Sequence, residues 1–289
     1  MPKDSCSLSD TSLNVEMQKF FDLATIGLLP HCKQTDMIER KRFISKFSDK
    51  VKYDEIKQTY IVQIPWREPR LHIEDMLQSS VQQLNSHTKL LVKLGLLSDY
   101  NNYIQDFLNR KFISLVDENL QNAKTKNCTY MSHFGIINPN NKSTPLRIVF
   151  RCDRRGKNNV SLNSAAYAGA NLLPKITVMI LKSRLSPILV ISDIFKAFPA
   201  IQIAAVDQDR FRFLWFHHGD PNKEIKIYKF TNLLFGFISS PFILFAIIQM
   251  HLKRFLIIDK DLSKKFPENV QPVVAKFAKL LHESLYSDN

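Results

Sequence analysis

The first half of the chain has the apolar spacing of helices, with one exception. In residues 16–29 and 101–116 apolar side chains recur every three or four positions, which places them on one helix face. The run YIVQIPW at residues 60–66 instead predicts a strand that stops at Pro65. The first 15 residues are polar and predict a flexible leader. The predicted helices are residues 16–29, 73–97 and 101–116.

Short apolar runs in the second half of the chain predict strands. The run at residues 188–191 is continuous, which is typical of a strand buried on both faces. Two pairs of runs flank the turn-forming sequences NPNNKSTP and HHGDPN, and each pair predicts a hairpin. Pro174 favours the start of a helix that extends to Leu185. The paired runs are residues 136–137 with 146–150 and residues 211–216 with 225–230.

Residues 231–252 contain no Lys, Arg, Asp or Glu. A stretch of this length could span a membrane. In its middle, however, Ser240 is a good N-cap and Pro241 is a good first helical residue. We therefore predict a loop at residues 231–239, a buried helix at residues 241–255, and no membrane span.

Composition and charge narrow the class of protein. The chain has 289 residues, and its 45% of hydrophobic residues is enough for a core and too many for a wholly disordered chain. Lys and Arg outnumber Asp and Glu by 40 to 27, and the net charge of +13 favours a polyanionic partner. The four cysteines lack the spacing of a zinc site or a disulfide framework, and the N-terminus has no apolar signal segment. An intracellular protein with reduced thiols is the simplest interpretation.

Two aspartates and a basic turn are the candidates for chemistry. Asp193 follows the apolar run at residues 188–191, so its carboxylate is a candidate ligand for a divalent cation at the end of a core strand. The alternative is that Asp193 caps the segment that follows. Asp288 ends a second short apolar stretch, and the alternative there is a solvated tail residue. Residues 151–157 carry four cations, which either contact phosphates or form a solvated basic loop.

Several segments of the chain stand in the order of one enzyme family's motifs. VISDIFKAFPAIQI resembles the reverse transcriptase strand that carries the first catalytic aspartate, NLLFGFISSPF resembles the "FGLxSSP" turn and helix, and LYSDN resembles the "YxDD" hairpin. RIVFRCD and SLN stand where BEL/Pao LTR retrotransposons have "RVVFDAS" and "SLN". SHFGIINP, FFDLATIGL and YIVQIPW resemble that family's upstream segments. The chain therefore resembles the reverse transcriptase region of a BEL/Pao-type polyprotein from about residue 16 to residue 289. VISDIFKAFPAIQI begins at residue 190, NLLFGFISSPF at 232, LYSDN at 285, RIVFRCD at 147, SLN at 161, SHFGIINP at 132, FFDLATIGL at 20 and YIVQIPW at 60.

This resemblance implies an α+β fold. Reverse-transcriptase-like fingers and an incomplete palm, an antiparallel sheet backed by helices, would follow a mostly helical region. We expect a flexible leader at residues 1–15, the helical region at 16–125, and the fingers and palm at 126–289. Since the sequence ends at the YxDD-like motif, we expect it to contain neither a thumb nor an RNase H segment.

The resemblance also implies a metal site. Asp193, Asp288 and the backbone carbonyl of Ile194 would bind two Mg²⁺ ions. One ion would activate the primer 3′-hydroxyl, and the other would stabilise the leaving pyrophosphate.

For the substrates, the resemblance implies a dNTP and an RNA or DNA template–primer. Arg147 would contact the triphosphate, and Phe235 and Gly236 would form the turn under the nucleotide. Phe198 would be the steric gate that excludes a ribose 2′-hydroxyl; the alternative is that it is one more core phenylalanine. The template–primer would be held through its phosphates by Arg151, Arg154, Arg155 and Lys157.

Two departures from the family motifs bear on catalysis. Asn289 replaces the last aspartate of "YxDD", and an amide is a weaker Mg²⁺ ligand than a carboxylate. Arg151 stands where the family has an aspartate and adds a positive charge beside the triphosphate site. We therefore expect an RNA-directed DNA polymerase domain with little or no activity. The alternative is a non-catalytic nucleic-acid-binding or interaction module derived from a retroelement. The sequence does not predict an oligomeric state.

Overall fold

The computed structural model of the chain divides it into two compact units. One unit comprises Met1–Arg42, Leu172–Asp193 and Asp259–Asn289, and the other comprises Phe43–Asn171 and Ile194–Ile258. The predictions for residues 1–15, 16–29, 188–191 and 285–289 lie outside the described part of the chain. The structure describes residues 43–117, 120, 128–137, 146–172, 176–184, 194 and 196–258.

Helices and strands both contribute to the unit that holds most of the described residues. Among the helices below, α4 belongs to the other unit. The helices are α1 (Leu77–Lys93), α2 (Leu97–Asn109), α3 (Leu162–Ala165), α4 (Ile176–Arg184), α5 (Ala205–Gln208) and α6 (Ser240–Ile258). The strands are β1 (Val51–Asp54), β2 (Thr59–Val62), β3 (Ile113–Val116), β4 (Tyr130–Met131), β5 (His133–Ile137), β6 (Leu146–Phe150), β7 (Gln202–Ile203), β8 (Arg212–Phe216) and β9 (Ile225–Phe230).

These strands form three small sheets. The first has the order β1-β2-β7, with β1 antiparallel and β7 parallel to β2. The second has the order β3-β9-β8-β4 and is antiparallel except for the parallel pair β8 and β4. The third is the hairpin of β5 and β6. The structure is thus of the α+β class, as predicted.

β8 is the centre of the largest sheet. All five of its residues are buried, including Phe213 and Trp215, because β4 and β9 flank it and α1 packs against it. A strand without polar alternation is typical of a position that is covered on both faces. The ring of His133 from β5 joins this core, with its centroid 5.5 Å from that of Phe213.

The predicted helices of the first half need two corrections. The predicted helix at 73–97 is shorter, since α1 ends at Lys93 and Gly95 has a φ of 67°, a left-handed conformation that ends helices. The predicted helix at 101–116 is wrong beyond residue 109, because Ile113–Val116 is the strand β3. Pairing with β9 decides the conformation of this short apolar run, whose spacing fits a helix as well as a strand.

The second half follows the prediction more closely. The two predicted hairpins are β5–β6 and β8–β9, and α4 confirms residues 176–184 of the predicted helix at 174–185. α6 begins at Ser240, as its N-cap and proline predict, and continues to Ile258. Within the described residues, no helix is long and apolar enough to cross a membrane.

Candidate nucleotide and nucleic-acid site

Two segments that the sequence assigns to separate motifs lie side by side. The backbone N–H of Leu233 donates to the carbonyl of Ile201 at 2.9 Å, and that of Ile203 donates to the carbonyl of Thr231 at 2.7 Å. The buried side chain of Asn232 donates to the carbonyl of Pro199 at 2.7 Å. Residues 199–203 and 231–233 are therefore held together by backbone and amide hydrogen bonds.

This pairing brings Phe198 and Phe235 into contact. Their ring centroids are 4.8 Å apart and the rings are nearly perpendicular, at 82°. Edge-to-face packing of this kind is favourable for aromatic pairs. Phe198 is half-buried, whereas Phe235 is 66% exposed, so the pair forms an aromatic corner at the surface.

The turn after Phe235 is held by the side chain of Asn163. The Asn163 amide nitrogen donates to the carbonyl of Gly236 at 3.1 Å, and its oxygen accepts from the backbone N–H of Ile238 at 2.9 Å. Gly236 has a φ of 87°, and a Cβ at this position would lie 3.3 Å from the carbonyl oxygen of Phe150. The turn thus depends on a glycine at 236 and on the nitrogen and oxygen of the Asn163 side-chain amide.

Asn163 is the functional candidate that sequence reasoning missed, although SLN was among the matched segments. Ser161 accepts from the backbone N–H of Ser164 at 3.0 Å, and the Ser164 hydroxyl accepts from the N–H of Ser161 at 2.8 Å. This capping box starts α3, and it fixes Asn163 in the first turn. The capping serine in the sequence predicts where Asn163 lies, but the amide's partners are backbone groups without a sequence signature.

Two serines connect the same turn to α6. The Ser240 hydroxyl donates to the carbonyl of Leu234 at 2.9 Å, and the Ser239 hydroxyl donates to the carbonyl of Tyr167 at 2.7 Å. Phe242 of α6 packs on Gly169, where a Cβ would lie only 2.1 Å from the Phe242 ring. The start of α6 is therefore fixed on the residues that follow α3.

Arg147 lies on β6, opposite Ile136 of β5. Burial raises the pKa of Tyr103 in α2, and the positive charge of Arg147 partly opposes that increase, so the two side chains are near enough to interact electrostatically. Along β6, Arg147 is three residues from Phe150, whose carbonyl faces Gly236; this corresponds to about 10 Å of strand. Strand β6 thus carries both Arg147 and Phe150, the residue whose carbonyl faces the Phe235–Gly236 turn.

Acidic and amide groups make hydrogen bonds to the basic turn. Both carboxylate oxygens of Glu74 accept backbone hydrogen bonds, from Lys157 at 2.9 Å and Asn158 at 3.0 Å. Arg154 donates to the side chain of Gln83 at 3.1 Å, and Arg155 donates to the carbonyl of Asn159 at 3.0 Å. These contacts hold the backbone at Lys157 and Asn158 and position the guanidinium groups of Arg154 and Arg155.

The charge of Arg151 is largely neutralised locally. Its guanidinium donates to the Asp153 carboxylate at 3.0 Å. This contact raises the pKa of Arg151 and lowers that of Asp153. The extra positive charge that the sequence places at residue 151 is thus paired with a carboxylate two residues further on, and Arg151 is a weaker candidate for phosphate binding than an unpaired cation would be.

The metal site stays a prediction. Asp193, Asp288 and Asn289 lie outside the described residues, while Ile194 is described and 53% exposed. Elsewhere in the described ranges, no group of three His, Cys, Asp or Glu side chains is placed to hold a metal ion.

No family model and no curated protein matches the sequence. Three solved structures of foamy virus protease–reverse transcriptase are similar to the chain at 16% sequence identity. The complex with double-stranded DNA has a TM-score of 0.32, with 78% of this chain and 33% of that one covered. The native prototype foamy virus protein has a TM-score of 0.35, with 77% of this chain and 25% of that one covered. The complex with an RNA/DNA hybrid has a TM-score of 0.34, with 78% of this chain and 25% of that one covered. The chain spans a third or less of their length, and TM-scores this low carry no weight for its fold.

Proposed function

We propose that the chain is a reverse-transcriptase-like domain that binds a template–primer and a dNTP, with β5 and β6 in the fingers and the β8–β9 sheet in the palm. The observation that carries this proposal is the contact between Phe198 and Phe235. Family resemblance assigns both residues to the nucleotide although they are distant in sequence, and a pair of unrelated core residues would not be expected to meet at an exposed turn.

The aromatic corner suits a deoxynucleotide sugar. If a nucleotide sugar lay on the Phe198 ring, the flat ring would leave no room for a ribose 2′-hydroxyl and would offer it no hydrogen bond. Next to it, Gly236 has a φ of 87°, which other residues rarely adopt, and this conformation shapes the turn beside the two rings. Since Phe235 is 66% exposed, its ring is available to a ligand.

The charge distribution suits a nucleic-acid strand. The net charge of +13 and the cations Arg154, Arg155 and Lys157 of the basic turn favour phosphate contacts without base recognition. A non-catalytic nucleic-acid-binding module is the second candidate function, and the same positive charge supports it. Strand binding alone does not separate the two candidates, because both predict it.

Nucleotidyl transfer is the part of the proposal that depends on residues 193, 288 and 289. The carboxylates of Asp193 and Asp288 and the carbonyl of Ile194 are hard oxygen ligands of the kind that Mg²⁺ prefers. When bound, two Mg²⁺ ions would supply charge stabilisation at the attacking and leaving oxygens. The neutral amide of Asn289 contributes less to such a site than a carboxylate, so we propose that transfer is weak or lost while binding is retained.

Primer extension tests this proposal. With poly(rA)·oligo(dT), dTTP and Mg²⁺, we expect wild type and Asp193→Asn to incorporate dTMP at the same background level. Incorporation by wild type above the Asp193→Asn level would show that catalysis survives Asn289. In parallel, fluorescence anisotropy should show that both proteins bind the template–primer with equal affinity. A wild-type protein that binds neither template–primer nor dTTP would overturn the proposed function.

Replacing Asn163 with alanine should weaken dTTP binding by about tenfold, because two hydrogen bonds that fix the Phe235–Gly236 turn are lost. Template–primer affinity should stay near the wild-type value, since the basic turn is held by other contacts. Calorimetric titration of dTTP into the protein–template–primer complex would measure the first effect, and anisotropy the second.

Asn222→Ala is the matched control, since Asn222 is exposed in the β8–β9 turn. Asn163→Asp retains the acceptor for Ile238 but directs a carboxylate oxygen at the Gly236 carbonyl, so it should bind dTTP at least as poorly as alanine does. Equal losses of dTTP and template–primer affinity in Asn163→Ala would indicate general unfolding instead of a positioning role.

A further inference from the structure

A recess of about 260 Å³ lies apart from the residues to which a role has been assigned. It opens beside the end of β2 and the start of α5. Trp66 is its aromatic wall, and three cations surround it, Lys50, Arg67 and Arg70. The complete lining is Lys50, Gln63, Ile64, Trp66, Arg67, Glu68, Arg70, Val206 and Asp207.

Asp207 builds this recess without making it acidic. Its buried carboxylate accepts from the backbone N–H of Ile64 at 2.8 Å and from the indole N–H of Trp66 at 2.7 Å. The Arg70 guanidinium lies 3.7 Å from the same carboxylate and 5.8 Å from the centroid of the Trp66 ring. The carboxylate is thus compensated by donors, and its effect is to fix Trp66 and Arg70 in place.

The remaining cations have capacity for a ligand. Arg67 uses Nε to donate to the carbonyl of Ala166 at 3.0 Å, and its two terminal nitrogens make no hydrogen bond to a described residue. The Lys50 ammonium likewise makes no ion pair within the described ranges. The Arg70 side chain is 53% exposed. Two guanidinium groups and an ammonium around a small recess match the oxygens of a phosphate group.

The chain connects the recess to the basic turn. Four residues after Arg70, Glu74 accepts the backbone hydrogen bonds of Lys157 and Asn158, and the Asn158 side chain donates to the carbonyl of His72 at 2.8 Å. Four extended residues span at most about 14 Å, so one strand of a few nucleotides can reach both sets of cations.

We infer that this recess binds a phosphate group of a nucleic-acid strand that also crosses the basic turn. The inference rests on the proposed function for the class of ligand, but it adds a separate site. Glu68 lies at the rim with an exposed carboxylate that opposes the ligand's charge. This arrangement gives the site one variant that should weaken binding and one that should strengthen it.

Anisotropy of a labelled oligo(dT) 12-mer, measured over a range of KCl concentrations, tests the inference. Lys50→Gln should weaken binding about three- to tenfold and reduce the slope of log affinity against log salt by about 0.7, the value for one lost contact to a single strand. Glu68→Gln should tighten binding by a similar factor. Lys52→Gln, at an exposed position of β1 two residues away, is the matched control and should change affinity less than Lys50→Gln does.

Competition identifies the source of the phosphate. If the recess binds a strand, millimolar dTMP and inorganic phosphate should not displace the 12-mer. If it binds a free nucleotide, Lys50→Gln should weaken binding of labelled dTMP but leave the 12-mer affinity unchanged, and that result would overturn the strand. Equal affinities for wild type, Lys50→Gln and Glu68→Gln would overturn the recess. If Arg155→Ala still weakened 12-mer binding in that case, the proposed function would stand without a phosphate site in the recess. A wild type that binds no oligonucleotide would overturn both.

Discussion

Replacing Asp207 with alanine should destabilise the protein by about 3–5 kcal/mol, because two hydrogen bonds to a buried carboxylate are lost and each is worth about 1.5–3 kcal/mol. Asp207 is only 3% exposed. Without its carboxylate, the N–H of Ile64 stays buried with no acceptor, and Trp66 and Arg70 lose the group that positions them. Urea denaturation monitored by tryptophan fluorescence would measure the loss as a lower midpoint.

Two further variants identify the cause of that loss. Asp207→Asn keeps one acceptor oxygen but turns an N–H₂ group toward one of the donors, so its loss should be intermediate. Asp99→Ala removes a carboxylate from an exposed position of α2 and should change the free energy of unfolding by less than about 0.5 kcal/mol. If Asp207→Ala were no less stable than Asp99→Ala, the hydrogen-bond network around Asp207 would not contribute to folding.

The parts of the fold that the sequence predicts well are those fixed by neighbouring residues. The hairpin of β8 and β9 follows from two apolar runs around HHGDPN, and the start of α6 follows from Ser240 and Pro241. β3 is different, because its partner β9 is far away in sequence and the run Ile113–Val116 is too short for its spacing to separate helix from strand. The parallel pairing of β2 with β7 depends on distant residues in the same way.

In the candidate site, too, the sequence predicts some residues and misses those whose contacts depend on the fold. The resemblance placed Phe198, Phe235 and Gly236 at one nucleotide, and the structure brings the two rings to 4.8 Å. The resemblance did not assign a role to Asn163, because an asparagine that makes hydrogen bonds to backbone groups looks like any other polar residue in a sequence. Asp207 was missed for a related reason: next to Gln208, Asp209 and Arg210 it resembles a surface residue, and only the fold shows that it lies beneath Trp66.

His133 makes the stability of this fold depend on pH. Its Nε2 lies 2.8 Å from the carbonyl of Leu214, which can only accept, so Nε2 carries the proton and Nδ1 accepts from the Tyr100 hydroxyl at 2.5 Å. Both side chains are buried. Burial lowers the pKa of His133 from 6.5 to about 4, with a smaller contribution from His87, while the bond to Leu214 opposes the shift.

Lowering the pH from 7 to 4 should therefore remove about 3 kcal/mol of stability through His133 alone, at roughly 1.4 kcal/mol for each unit between the two pKa values. Above pH 6.5 the imidazole is neutral in both the folded and the unfolded chain, and its contribution is fully present. Between pH 6.5 and about 4 only the unfolded chain binds the proton, so the stability falls as the pH falls. Urea denaturation at half-unit pH steps would measure this slope.

Carboxylates also titrate in acid, so the effect of His133 must be read as a difference between variants. His133→Gln can donate to Leu214 but cannot be protonated; it should be less stable than wild type at pH 7 and should lose about 3 kcal/mol less on acidification. His72→Gln, at an exposed position, controls for the substitution itself. Parallel pH curves for wild type and His133→Gln would show that protonation of the buried imidazole does not limit the fold in acid.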